Sequence, residues 1–186
     1  MAKIDYKVLT SEHWDDFEKL FGEKGADGGC WCMFFRVTGK EFARKRYEGN
    51  KQDMKLLVEQ GRKPGILAFV NNEPAGWISI APREEFHRIN RSPVLRKIDD
   101  EPVWSIVCFF IDPKFRKNKL SESLLEYAIS YAKSNGVKIL EGYPRDLQDS
   151  SDENMYVGVV STFEKMGFRE VARRSSKRPI MRLKIA

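Results

Sequence analysis

A mixed α/β fold follows from three features of the sequence. Residues 103–111 are apolar apart from Ser105, a helical pattern begins soon after, and a second apolar strand follows a glycine stop. A strand apolar on both faces needs cover on both sides. A strand, a helix and a strand in this order are best joined as a right-handed parallel crossover. The expectation is a central mixed sheet with helices on both faces.

The elements can be justified in turn. Residues 4–9 alternate enough for a first strand. Ser11 caps a helix through Phe21, with Trp14, Phe17 and Phe21 three and four apart. A loop, 22–29, leads into the block Cys30-Trp31-Cys32-Met33-Phe34-Phe35-Arg36. Thr38 and Glu41 have the spacing of a capping box for a helix to Tyr47, and Asn50 caps another that ends at Gly61. Residues 66–70 and 75–80 pair as a hairpin across Asn71-Asn72-Glu73-Pro74. The polar stretch 82–97 reads as loop with a short helix. Asp112-Pro113 stops the central strand, and Leu120, Leu124, Leu125, Ala128, Ile129 and Ala132 trace one helix face that Gly136 closes. Strand 137–143, helix 155–166 ending at Gly167, and an antiparallel pair at 168–174 and 179–185 complete the chain.

Composition limits the function classes. Of 186 residues, 41% are hydrophobic, enough for a real core. The apolar run 103–111 falls well short of the roughly 20 residues of a membrane-spanning helix, and the first ten residues lack an apolar signal region. A cytoplasmic protein with no membrane partner is expected. Three cysteines suit a reducing compartment, and with two histidines they supply no zinc set, so no metal is expected. The net charge of +6 suits an anionic partner. No RNP-type aromatic motif, paired zinc ligands or recognition helix accompanies it, so no nucleic-acid partner is expected.

Lys114, Arg116, Lys117 and Lys119 crowd the turn between the central strand and the long helix. The first N–H groups of a helix lack internal partners and its dipole makes that end partly positive, so a basic strand-to-helix turn is a natural anion site. No glycine lies between Asp112 and Ser121, which removes both the P-loop and the Rossmann fingerprint. Coenzyme A remains a strong candidate.

The segment from Ile111 to Ser121, with Leu124-Leu125 and Ala128 behind it, resembles the pyrophosphate motif of the GNAT acyltransferases, Gln/Arg-x-x-Gly-x-Gly/Ala. Arg116 matches the first position, Lys119 stands at the first glycine and Ser121 takes the second small position. Gly76-Trp77, Gly142-Tyr143-Pro144 and Met166-Gly167-Phe168 extend the resemblance, to a branch with Cys-Trp-Cys near its start. It implies a single domain, 1–186, in which residues 1–65 shape the acceptor site and 66–186 bind acyl-CoA.

The resemblance further implies acetyl transfer from acetyl-CoA to a small-molecule or protein amine by direct attack. The cofactor would be held by Cys108, Phe109, Phe110 and Ile111 and by Arg116, Lys117, Asn118, Lys119, Leu120 and Ser121. A backbone N–H near residues 108–110 would bind the oxyanion, and a homodimer is common in that family. The usual tyrosine acid falls at Phe163, which has no proton to give, so Tyr156 or Tyr143 is its substitute. Glu141, ending an apolar strand, is the candidate base, with Asp146 and Glu101 as alternatives. Cys108 reads as core, the Cys30–Arg36 block as core or acceptor wall, and Arg83 as a surface residue or a substrate contact. Lys119 and Phe163 keep a second reading open, a GNAT-fold acyl-CoA-binding protein with little turnover.

Overall fold

The computed structural model describes residues 3–116, 118–147 and 155–185. Its strands are β1 (Ile4–Val8), β2 (Gly65–Val70), β3 (Glu73–Pro82), β4 (Trp104–Ile111), β5 (Ile139–Gly142), β6 (Arg169–Arg173) and β7 (Pro179–Lys184). They form one sheet in the order β1-β2-β3-β4-β5-β7-β6, in which only β4 and β5 run parallel. The α-helices are α1 (Trp14–Phe21), α2 (Gly39–Arg44), α3 (Glu48–Glu59), α4 (His87–Asn90), α5 (Leu120–Ser134) and α6 (Val160–Lys165).

Alternation along the central strands fills both faces. On β2, Ile66 and Ala68 join Leu120, Leu124, Leu125 and Ala128 of α5 in one cluster. Leu67 and Phe69 point the other way, into a cluster with Trp14, Phe17, Leu20 and Phe21 of α1 and Met54 and Val58 of α3. Gly76 lets α5 close on β3, because a Cβ there would lie 2.9 Å from Ile111 Cδ1 and 3.0 Å from Leu124 Cδ1.

Local signals explain most boundaries. Asn71 and Asn72, both at positive φ (49° and 66°), turn the β2–β3 hairpin as asparagine tolerates best. The Thr38–Glu41 capping box forms as expected. Three expectations need correction. A 3-10 turn, Ser11–His13, precedes α1, so Ser11 is not its cap. Asn50 lies inside α3, fully buried, where its Nδ2 donates to the Gly29 carbonyl at 2.9 Å. The helix expected over 155–166 is a 3-10 turn, Met155–Val157, separated from α6 by Gly158 at φ 77°.

Two irregularities shape the middle of the sheet. Ser79 pairs with Cys108 but Ile80 with Ile106, so Val107 is bulged. The bulge resets the alternation: Ile106 and Phe109 both pack against the α5 side, while Cys108 and Phe110 turn to the α1 side. Pairing of β4 with β5 covers only residues 104–106. Among the described residues no strand continues along 107–111 on that side, and the sheet opens there.

Candidate active site

The opening between β4 and β5 meets a cavity of about 440 Å³ on the α1 side. Cys108 and Phe110 of β4 form part of its lining, with Tyr156 and Val157 from the 3-10 turn. The rest comes from residues 21–46 and from Arg145 and Arg178. Within the aromatic block the chain divides by direction. Trp31 and Met33 are core, Cys30 and Phe34 line the cavity, and Cys32 and Phe35 belong to both.

The loop into this block is tightly wound. Gly25, Ala26, Gly28, Gly29, Trp31 and Cys32 all have positive φ. At Gly29 a Cβ would lie 2.4 Å from the Tyr47 backbone nitrogen, so no other residue fits without moving backbone. Trp31 and Cys32 hold left-handed conformations that L-residues rarely adopt (φ 45° and 58°). The result places the Cys32 sulfur 3.2 Å from the Trp77 indole N–H that donates to it. The neighbouring Cys108 thiol, with help from Ser79 and Trp77, lowers the Cys32 pKa, and the proximity of the two sulfurs pushes Cys108 up. Cys108 is therefore a half-buried cavity thiol as well as a packing residue.

Tyr156 is half-buried at the cavity wall. Burial, reinforced by the Asp27 carboxylate, raises its hydroxyl above the ordinary tyrosine value, while Arg116 opposes the rise. The pull from Arg116 places the basic turn within electrostatic reach of this hydroxyl.

That turn starts where Asp112 accepts from the Lys114 N–H at 2.8 Å and caps a 3-10 turn, Pro113–Phe115. Arg116, exposed, donates from Nε to the Ile111 carbonyl at 3.2 Å. Lys119 caps α5 with φ 55° and ψ 21°. The lysine thus takes the left-handed conformation in which glycine is at ease, so the backbone path is the one a glycine would trace. Asn118 is exposed, Leu120 is buried in the core and Ser121 is half-buried. As the first residues of α5, Leu120 and Ser121 offer backbone N–H groups without intrahelical partners. Lys117 lies outside the described residues. Phe109 faces the α5 side of the core, away from the cavity, so only its backbone can serve a ligand there.

Glu141 is not in this site. It is fully buried, absent from the cavity lining, and saturated by its neighbours. Arg83 ion-pairs with its Oε1, Arg182 Nε donates to Oε2 at 2.7 Å, and the Tyr143 hydroxyl donates to Oε1 at 2.6 Å. Arg83 also reaches the Leu95 carbonyl at 2.6 Å, and Arg182 extends to Asp99. Three of the roughly four lone-pair positions of this carboxylate are taken, and the residue is absent from the cavity lining, so the expected base reads as a structural hub. Tyr143 is 1% exposed inside the same network, and Arg83 is likewise buried. Asp146 pairs with Arg173, and Glu101 is exposed beside Asp99. Phe163 is pure core: a Cβ on Gly142 would lie 2.2 Å from its Cε1, and Phe109 and Phe168 stack edge-on to it.

Sequence reasoning missed Asp27, Arg145 and Arg178, which tertiary folding alone brings to one cavity. Among the described residues, no group of histidine, cysteine and acidic side chains could hold a metal ion. No described helix is long and apolar enough to cross a membrane.

The chain is an α/β protein whose mixed sheet opens between its two parallel strands, with a basic helix start following β4. The chain belongs to the acetyltransferase (GNAT) family, whose model matches residues 10–168. The fold is shared with the PaiA N-acetyltransferase of Thermoplasma acidophilum, solved with coenzyme A, at 15% identity and a TM-score of 0.57, over 98% of this chain and 99% of that one. It is shared with the ribosomal-protein-S18-alanine N-acetyltransferase of Escherichia coli at 16% identity and a TM-score of 0.53, over 99% and 95%. A GNAT-family acetyltransferase of Listeria monocytogenes gives 10% identity and a TM-score of 0.60, over 98% and 95%. No curated protein matches the sequence at a significant level.

Proposed function

We propose that this protein is an N-acetyltransferase that moves an acetyl group from acetyl-CoA to an amine bound in the cavity beside Cys108. The observation that carries this reading is the combination of three features: the open β4 edge, the α5 start after it with Lys119 in a glycine-like conformation, and Tyr156 on the cavity wall. Residues 1–65 shape the acceptor side, and 66–186 hold the acyl-CoA.

The residues fit the cofactor. Arg116, Lys119 and the free N–H groups at Leu120 and Ser121 suit a pyrophosphate, and the open edge of residues 107–111 suits an amide-bearing arm. Bound there, acetyl-CoA would supply an activated acetyl thioester. Along residues 107–111, alternate backbone groups face away from β3, and the N–H groups among them stabilise negative charge developing on the acyl oxygen. Tyr156 holds its proton at neutral pH and donates it at the departing sulfur. Glu141 acts at a distance by fixing β5 and β7 around the site.

Acetyl-CoA should raise the melting temperature, by about 5–11 °C at roughly 100 times Kd, from the linkage relation and the usual scaling for a chain of this length. Arg116→Ala should weaken this shift. Thiol release in a broad amine screen then separates an enzyme from an acyl-CoA-binding protein. The absence of any shift with acetyl-CoA or longer acyl-CoAs would remove the cofactor reading altogether.

A further inference from the structure

Three arginines line the cavity, Arg46, Arg145 and Arg178, against one described acidic residue, Asp27. None of the three forms an ion pair among the described residues. Arg36, Arg62, Arg83, Arg173 and Arg182 do, while exposed arginines such as Arg91 and Arg116 also have no ion pair among the described residues. Arg178 is the most telling. Its Nε is buried without a hydrogen-bond partner, while its terminal nitrogen donates to the Tyr143 carbonyl at 3.0 Å and its guanidinium lies 5.8 Å from the Phe35 ring centroid. The positive charge of neighbouring Arg145 adds to burial in lowering its pKa to about 10. Two neighbouring like charges, one of them packed against the Phe35 ring, are costly unless an anion joins them. Nothing among the described residues supplies that anion, and the cavity leaves room for it.

We infer that the acceptor is an amine bearing a carboxylate, with Arg145 and Arg178 as the subsite for the acid and Asp27 as the carboxylate that binds the acceptor's ammonium and takes the proton it must lose before the neutral nitrogen attacks. The inference rests on the acyl-transfer reading above, and it adds the chemical class of the acceptor. A guanidinium fork matches a carboxylate in two parallel hydrogen bonds, and the single carboxylate on the lining suits the opposite end of a zwitterion. Arg46 donates from Nε to the Gly28 carbonyl at 2.9 Å, which holds it against the loop that carries Asp27.

The test uses the full chain with acetyl-CoA and pairs of amines matched in size: glycine, β-alanine, γ-aminobutyrate and glutamate against their methyl esters, with phosphoethanolamine as a phosphate-bearing arm. Thiol release should favour at least one free acid over its ester by roughly 10- to 100-fold, the range of a hydrogen bond to a charged group. Arg145→Met and Arg178→Met should each collapse that preference to within about threefold, while the melting shift with acetyl-CoA persists and shows that the variants are folded. Esters turned over as well as every acid would overturn the inference, as would a tenfold preference for phosphoethanolamine. Loss of the acetyl-CoA shift in both variants would also overturn it, by assigning these arginines to the cofactor. If the wild-type protein shows no acetyl-CoA shift, the acyl-transfer reading fails by itself. The free acids alone then decide the subsite: a melting shift that Arg178→Met abolishes sustains it, and no shift ends it.

Discussion

Glu141→Gln separates a structural hub from a catalytic base. The side chain is fully buried, and each carboxylate oxygen is held by a different arginine, with the Tyr143 hydroxyl on Oε1. Glutamine keeps one acceptor and turns an NH₂ donor toward an arginine donor, leaving Arg83, 7% exposed, without its counter-charge. Removing one member of a buried ion pair costs about 3–5 kcal/mol. The lower end applies because Arg83 keeps the Leu95 carbonyl and Arg182 keeps Asp99. About 3 kcal/mol corresponds to a melting temperature lower by roughly 6–12 °C for a chain of this size. Asp99→Asn is the internal control, since Asp99 is 42% exposed and an exposed pair contributes about 1 kcal/mol or less. Thermal unfolding at neutral pH measures both. Turnover measured well below the transition should fall less than about tenfold, because no proton transfer passes through Glu141. An unchanged melting temperature with turnover lost a hundredfold would refute this reasoning and return Glu141 to the chemistry.

Lys119 offers a prediction of opposite sign to ordinary helix behaviour. At a left-handed position glycine should be more stable than alanine by about 1 kcal/mol, whereas within a helix alanine wins by a similar amount; denaturant melts of Lys119→Gly and Lys119→Ala decide it, and alanine as the more stable variant would refute the assigned conformation. Gly142→Ala forces a methyl against the Phe163 ring and should cost about 1–3 kcal/mol, with Phe163→Leu in the same chain recovering part of the loss in thermal unfolding. Tyr156 carries a pH prediction. Burial and Asp27 raise its pKa, an acid works while protonated, and so its turnover plateau should extend past the pH at which an ordinary tyrosine loses its proton before falling. Tyr156→Phe should lower turnover and abolish that alkaline limb in the pH–rate profile; a limb that survives unchanged would remove the hydroxyl from the reaction.

Much of this was legible in the chain itself. Periodicity is local, so the apolar strand at residues 103–111, the α5 face from Leu120 to Ala132 and the β2–β3 hairpin are visible wherever they occur. The crowding of Lys114, Arg116 and Lys119 at a helix start is local too, and its anion preference comes from unsatisfied N–H groups adjacent in sequence. Tertiary structure decided what depends on distant residues meeting. Glu141 became a hub because Arg83 approaches it from the turn after β3 and Arg182 from β7, and no spacing along the chain encodes that meeting. The bulge at Val107 turned Cys108 toward the cavity, and Arg145 and Arg178 came to line one cavity only through the packed fold, with Arg178 beside Phe35. Sequence determined the elements and the phosphate end, because those rest on near neighbours. The acceptor end is assembled from side chains far apart in the chain, so only the packed fold could show its charge.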